Sequence, residues 1–229
     1  MCGKSRPDGT SELKFLSESL LSDPEKLPRP AHPDSAALGR QRWAEAADRS
    51  ADALIGEFAH GLAADSAGAM LLDAVFGNSP FLSQCLVTNI GLVRTICTDG
   101  PDAALAAILS GLDTAVPADA DTSQVMRALR IARQRCAITV ALADIAGAWP
   151  LETVTGSLTA FADRAIDCAL AHLLLQSHSA GELALPDPQE PCRDSGLVVL
   201  GMGKLGAGEL NYSSDIDLIV LFDHERVEY

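Results

Sequence analysis

Asp215 and Asp217 stand two residues apart, with Ile216 between them and an apolar run, Leu218 to Phe222, behind them. In a strand, positions i and i+2 project from one face. An extended run from Ile216 to Phe222 therefore puts the two carboxylates side by side and turns Ile216 and Leu218 into core. Two ionised carboxylates that close repel each other, and a divalent cation relieves the repulsion. Magnesium suits such a pair, because it takes its remaining ligands from water and phosphate oxygens. The plain alternative is a solvated strand edge, where acids are common.

The residues just upstream narrow the choice. Leu197-Val-Val-Leu200 is a strand-like run that feeds Gly201-Met-Gly-Lys-Leu-Gly-Ala-Gly208. Backbone N–H groups at such a turn suit an anion. Gly201, Gly203, Gly206 and Gly208 let the backbone approach a phosphate closely. Lys204 offers a charge to a phosphate oxygen. The Ser214 hydroxyl either donates to a phosphate or closes a turn. Together the lysine-bearing turn and the paired carboxylates point to metal-dependent nucleotidyl transfer.

A second reading remains open. Gly201 to Gly206 also fits G-x-G-x-x-G after a strand, with Asp223 ending the next strand as a ribose-binding acid. That dinucleotide-binding (Rossmann) oxidoreductase ranks second. Its crossover helix would be short, and Asp215 and Asp217 would have no task. A Walker A loop is excluded, since the lysine lacks the G-x-x-x-x-G-K-[ST] frame. A third reading is a non-catalytic docking module.

What precedes this segment reads as helix. Residues 1–38 are rich in proline, serine and charge, a mobile lead-in in which Leu13 to Leu21 forms a short amphipathic stretch. From 39 to 180 a helical domain follows. Trp43, Ala47, Leu54, Phe58 and Leu62 keep a 3.6-residue period and mark one buried face. Ser66 caps a helix over 67–76 that Gly77 ends, and Ser79-Pro80 opens the next. Gly100-Pro101 breaks the chain. A long helix over 122–148 starts at an Asp121/Thr122 cap. It carries Arg127, Arg130, Arg133 and Arg135 in its first half and is apolar all round in its second. Trp149-Pro150 stops it, and a last helix runs over 151–176. Residues 181–195, with Gly181, Pro186, Pro188 and Pro191, form a linker. Residues 196–229 hold two buried strands, the incomplete start of a sheet domain, since two strands alone make no stable sheet.

Composition bounds the partners. The 229 residues carry a formal net charge of −14. From Glu190 to Tyr229 eight acids face three basic residues. Such a surface repels phosphate backbones, so nucleic acid is not an expected partner. None of the six cysteines forms a C-x-x-C pair, and they read as reduced thiols of a cytoplasmic protein rather than zinc ligands. The first residues lack an apolar h-region, so no secretory leader is expected. Cys136 to Ala143, the longest uncharged apolar stretch, is too short to span a bilayer, so no membrane association is expected.

With these residues quoted, the segment resembles the nucleotidyltransferase superfamily of the DNA polymerase β type. Leu200-Gly201-Met202, a spacer and Asp215-Ile-Asp217-Leu218 match its pattern, with Met202 in place of the usual small residue. The longer string Gly-Lys-Leu-Gly…Glu-Leu-Asn-Tyr-Ser-Ser-Asp-Ile-Asp-Leu is similar to the bacterial bifunctional glutamine synthetase adenylyltransferase/adenylyl-removing enzymes. Phe76-Gly-Asn-Ser-Pro-Phe-Leu82 and Asp144-Ile-Ala-Gly147 look like the same family's N-terminal half. The resemblance covers most of 65–223.

It implies a mainly α N-terminal helical region followed by the start of an α+β polymerase β-like core, truncated. It also implies the removing half: phosphorolysis of adenylyl-tyrosine on glutamine synthetase to give ADP, with ATP-dependent adenylyl transfer in a later half. Asp215 and Asp217 would be the catalytic, metal-binding carboxylates, and Gly201, Gly203, Lys204 and Ser214 would lie around the phosphates. Magnesium, ATP, ADP and phosphate would be the cofactor and reactants. Glutamine and the PII signal-transduction protein would be effectors. The family's third carboxylate comes from a later strand, and Asp223 does not take that place.

Overall fold

The computed structural model describes residues 15–17, 19–115 and 120–224. They are mainly helical. In chain order the helices are α1 (Pro33–Asp48), α2 (Ala53–Ala64), α3 (Ser66–Phe76), α4 (Pro80–Thr88), α5 (Ile90–Asp99), α6 (Pro101–Ala115), α7 (Thr122–Ile145) and α8 (Leu151–Ser179). Strand β1 (Leu197–Gly201), the single turn α9 (Gly203–Gly206) and strand β2 (Leu218–Phe222) follow.

Local chemistry sets most of the helix ends. Ser79 accepts a hydrogen bond from the Leu82 N–H, and Pro80 starts α4. Asp121 and Gln124 form a reciprocal capping box at the head of α7. Gly100, at φ 92°, adopts a backbone that other residues resist and separates α5 from α6. The cap of α3 is Asp65 rather than Ser66, because the Asp65 carboxylate accepts from the Gly68 N–H. The expected continuous stripe from Trp43 to Leu62 is split between α1 and α2. Asp52 caps α2 through the Leu54 N–H, and Leu54 itself points out to solvent.

Two adjoining apolar cores share α7. Trp43, Phe58, Leu62, Phe76, Ile96 and their neighbours pack against Ile138 and Leu142. On the other side, Leu112, Val154 and Phe161 pack against Cys136, Val140 and Ala143. A helix with core on both sides must be apolar all round, as the sequence of its second half is. Leu20, Leu21 and Leu27 are buried in the first core, and the Ser17 N–H donates to the Cys97 carbonyl. The described part of the 1–38 stretch is therefore packed, and α1 already begins inside it.

The strands differ from expectation. They pair antiparallel, with Leu197 opposite Phe222 and Gly201 opposite Leu218. They are not buried: every residue of β2 is exposed, as are Val198 and Leu200. The physical reason is that one ladder has two faces, and among the described residues little packs on either. No single helix among the described residues is long and apolar enough to cross a membrane.

The five described cysteines are free thiols. Burial pushes Cys97 and Cys136 up to about 12. Alkylation needs the thiolate. Cys192 is raised as well, by burial first and then by Asp167, but it is exposed, so among the described cysteines iodoacetamide at pH 8 is expected to modify Cys192 first. Cys97 and Cys136 should label only after unfolding, as peptide mass mapping would show. Equal labelling of all three in the native protein would contradict this packing.

Candidate active site

The glycine turn is built by close backbone approach. A Cβ on Gly206 would lie 2.3 Å from the Gly201 carbonyl oxygen, so α9 packs directly on the end of β1. Gly203, at φ 55°, and Gly208, at φ 72°, take left-handed backbone that favours glycine. The turn is closed by hydrogen bonds from Gly206 N–H to the Met202 carbonyl and from Ala207 N–H to the Gly203 carbonyl. Lys204 is exposed on it.

Asp215 and Asp217 lie in the extended segment just before β2, not within it. The ladder reaches them through one more bond, from the Met202 N–H to the Asp217 carbonyl, 2.9 Å. Ile216 and Leu218 are exposed rather than turned into core. The Asp217 carboxylate lies over the glycine turn, where a Cβ on Gly203 would be 3.8 Å from its Oδ2. Asp215 instead lines a cleft of about 960 Å³ between α4, α7, α8 and the 210–216 loop. The structure thus brings Gly201, Gly203 and Asp217 together, with Asp215 at the adjoining cleft. Ser214 is spent on a turn: its hydroxyl donates to the Asn211 Oδ1, and its N–H donates to the Asn211 carbonyl.

Three contacts fasten this segment to the helices. Leu205 and Leu210 bury against Ala162 of α8 and its neighbours. The Leu210 N–H donates to the Thr159 hydroxyl, 3.2 Å. The Tyr212 phenol donates to the Asp144 carboxylate of α7, 3.0 Å. Burial first, and then this hydrogen bond, raise the Tyr212 pKa above its ordinary value. The phenol is therefore a donor throughout the neutral range. Sequence reasoning did not single out Tyr212 or Thr159. A signal existed for Asp144, a single acid ending an apolar stretch, but its partner is 68 residues away.

Two carboxylates offer hard oxygen ligands of the kind magnesium takes, so the donor set fits that ion. Among the described residues no third His, Cys, Asp or Glu joins them. The antiparallel pairing disposes of the dinucleotide reading. A Rossmann unit needs parallel strands and a full crossover helix, and α9 is four residues long.

Comparison with known proteins agrees with the nucleotidyl-transfer chemistry. The family described as glutamate-ammonia ligase adenylyltransferase matches residues 70–228. A bifunctional glutamine synthetase adenylyltransferase/adenylyl-removing enzyme of Bradyrhizobium diazoefficiens is 44% identical over 157 residues, 68% of this chain and 16% of the relative. Its namesake in Bradyrhizobium sp. strain BTAi1 is 37% identical over 218 residues, 95% of this chain and 21% of the relative. Another, from Xanthobacter autotrophicus, is 44% identical over 148 residues, 65% and 15% of the two chains. The class these matches define is the nucleotidyltransferases. Within it, this chain belongs to the glutamate-ammonia ligase adenylyltransferase family. It spans only about a sixth to a fifth of the length of these relatives.

Proposed function

We propose that residues 196–229 form the front of a polymerase β-like nucleotidyltransferase core, seated on the 39–180 helical domain, and that they serve the adenylyl-removing activity. The observation that carries this reading is the juxtaposition of Asp217 with the Gly203 turn, on a segment anchored to α7 and α8. The relatives' names supply the target, glutamine synthetase, and both directions of the chemistry. The choice of removal rests on the resemblance of Glu209-Leu-Asn-Tyr-Ser-Ser214 to the family's removing half.

In the reaction an oxygen of inorganic phosphate attacks the phosphorus of adenylyl-tyrosine. The bond from phosphorus to the tyrosine oxygen breaks, that oxygen takes up a proton, and ADP leaves. Asp215 and Asp217 would hold magnesium, which supplies charge neutralisation at the phosphoryl oxygens. Lys204 would pair with a phosphate oxygen, and Gly201 and Gly203 let the backbone approach it. The Ser214–Asn211 turn and the Tyr212–Asp144 bond hold the carboxylate loop in place. ATP-driven adenylyl transfer falls to another part of the relatives' length. Glutamine and the PII protein are the proposed effectors, in the cytoplasm.

The test is metal removal. The intact protein, given adenylylated glutamine synthetase and phosphate, should release no ADP in EDTA and should regain activity on adding magnesium. An unchanged rate of ADP release in EDTA would sink the proposal.

A further inference from the structure

The cleft that Asp215 lines is also lined by Arg130 and Arg133 of α7. They are three residues apart, so they share one helix face. Both are exposed, and neither has an ion-pair or hydrogen-bond partner among the described residues. Asp144 of the same helix also lines the cleft, but its carboxylate accepts from the Tyr212 phenol, and neither arginine is ion-paired to it, so in a chain of net charge −14 the two neighbouring guanidinium groups are available to an outside anion. The walls beneath them are apolar and partly aromatic: Phe81, Leu158, Phe161 and Ile166. Asn211, Ser213 and Asp215 of the 210–216 loop also line the cleft. About 960 Å³ is the size of a small-molecule site, and apolar walls with a few convergent polar groups are its usual form.

We propose that this cleft binds a nucleoside monophosphate, in the reaction the adenylyl group itself. The ring lies on the apolar wall, and Arg130 and Arg133 hold the phosphate in forked hydrogen bonds. The phosphorus is thereby delivered toward Asp215, the one carboxylate of the pair that lines the cleft. This rests on the nucleotidyl-transfer reading above and extends it, because the helical domain then supplies part of the substrate site.

The test uses the intact protein without phosphate, so that no phosphorolysis can run, with AMP and adenosine titrated calorimetrically. Arg130→Gln/Arg133→Gln should weaken AMP binding more than about tenfold, given the strength of charge-assisted hydrogen bonds, and leave adenosine within about twofold. Both arginines are exposed, so circular dichroism should show an unchanged fold. An adenylyl-tyrosine peptide should displace AMP. Wild-type protein that binds no AMP, because its own chain covers the cleft, would overturn the proposal. So would equal AMP affinity in wild type and variant, or an equal loss for adenosine. A peptide that fails to displace AMP would make the cleft a free-nucleotide site and overturn its assignment to the adenylyl group. Phosphorolysis by Asp215→Asn/Asp217→Asn, measured in parallel, separates the two claims. If it is lost while AMP binding ignores the arginines, the cleft assignment alone fails. If it persists while AMP binding needs the arginines, the reaction assignment fails and the site stands.

Discussion

Gly206→Ala in the intact protein is expected to cut phosphorolysis by at least about a hundredfold while leaving the helical content unchanged. The added methyl carbon would sit 2.3 Å from the Gly201 carbonyl oxygen and 3.1 Å from its carbon. Both atoms are backbone, so no side chain can swing aside. Either α9 lifts off the end of β1 or the ladder opens at Gly201, and Met202 then loses its bond to Asp217. Each response shifts Gly203 away from the Asp217 carboxylate. Displacements of about 1 Å at a reacting centre cost on the order of a hundredfold in rate. The helical cores lie elsewhere, so circular dichroism and the unfolding midpoint of the helices should hold. Activity within twofold of wild type would show that the close approach has no functional weight.

Trp43→Ala should produce the largest loss of stability, about 4 kcal/mol, read by urea or guanidinium unfolding followed by circular dichroism. The indole is 1% exposed, packs on Phe76 with ring centroids 6.3 Å apart, and donates from Nε1 to the Ala59 carbonyl at 2.9 Å. Truncation leaves a cavity among α1, α2 and α3 and removes the indole bond to that carbonyl. Domains of this kind are stable by about 5–15 kcal/mol, so the loss is a large fraction of the whole. Trp43→Phe should cost less, since most of the volume stays and mainly the hydrogen bond is lost. A Trp43→Ala midpoint equal to wild type would mean the indole is not the centre of the first core.

These two variants also mark what could be read from the chain alone. The helix starts at Pro80 and Thr122 and the break at Gly100 were legible because a cap or a left-handed glycine acts within four residues. The double-sided burial of α7 was legible in its unbroken apolar half. The split between α1 and α2 was not, although Ser50 and Asp52 carry the signal. No glycine or proline interrupts the period there, and Leu54 happens to fit it. Strand burial was misread because β-branched residues suit a covered sheet, whereas coverage depends on what packs there. The candidate site was legible as residue types: glycine turn, lysine, two aspartates. Its anchoring was not, because Tyr212–Asp144 and Leu210–Thr159 join residues more than 50 positions apart.

The central claim is that this carboxylate pair serves removal of the adenylyl group. The most direct measurement takes intact protein carrying Asp215→Asn/Asp217→Asn and assays both directions on glutamine synthetase. The account predicts that ADP formation from adenylylated glutamine synthetase and phosphate is abolished, while adenylylation of the unmodified enzyme from ATP continues. Phosphorolysis that proceeds at the wild-type rate, or loss of ATP-driven adenylylation with removal intact, would contradict it.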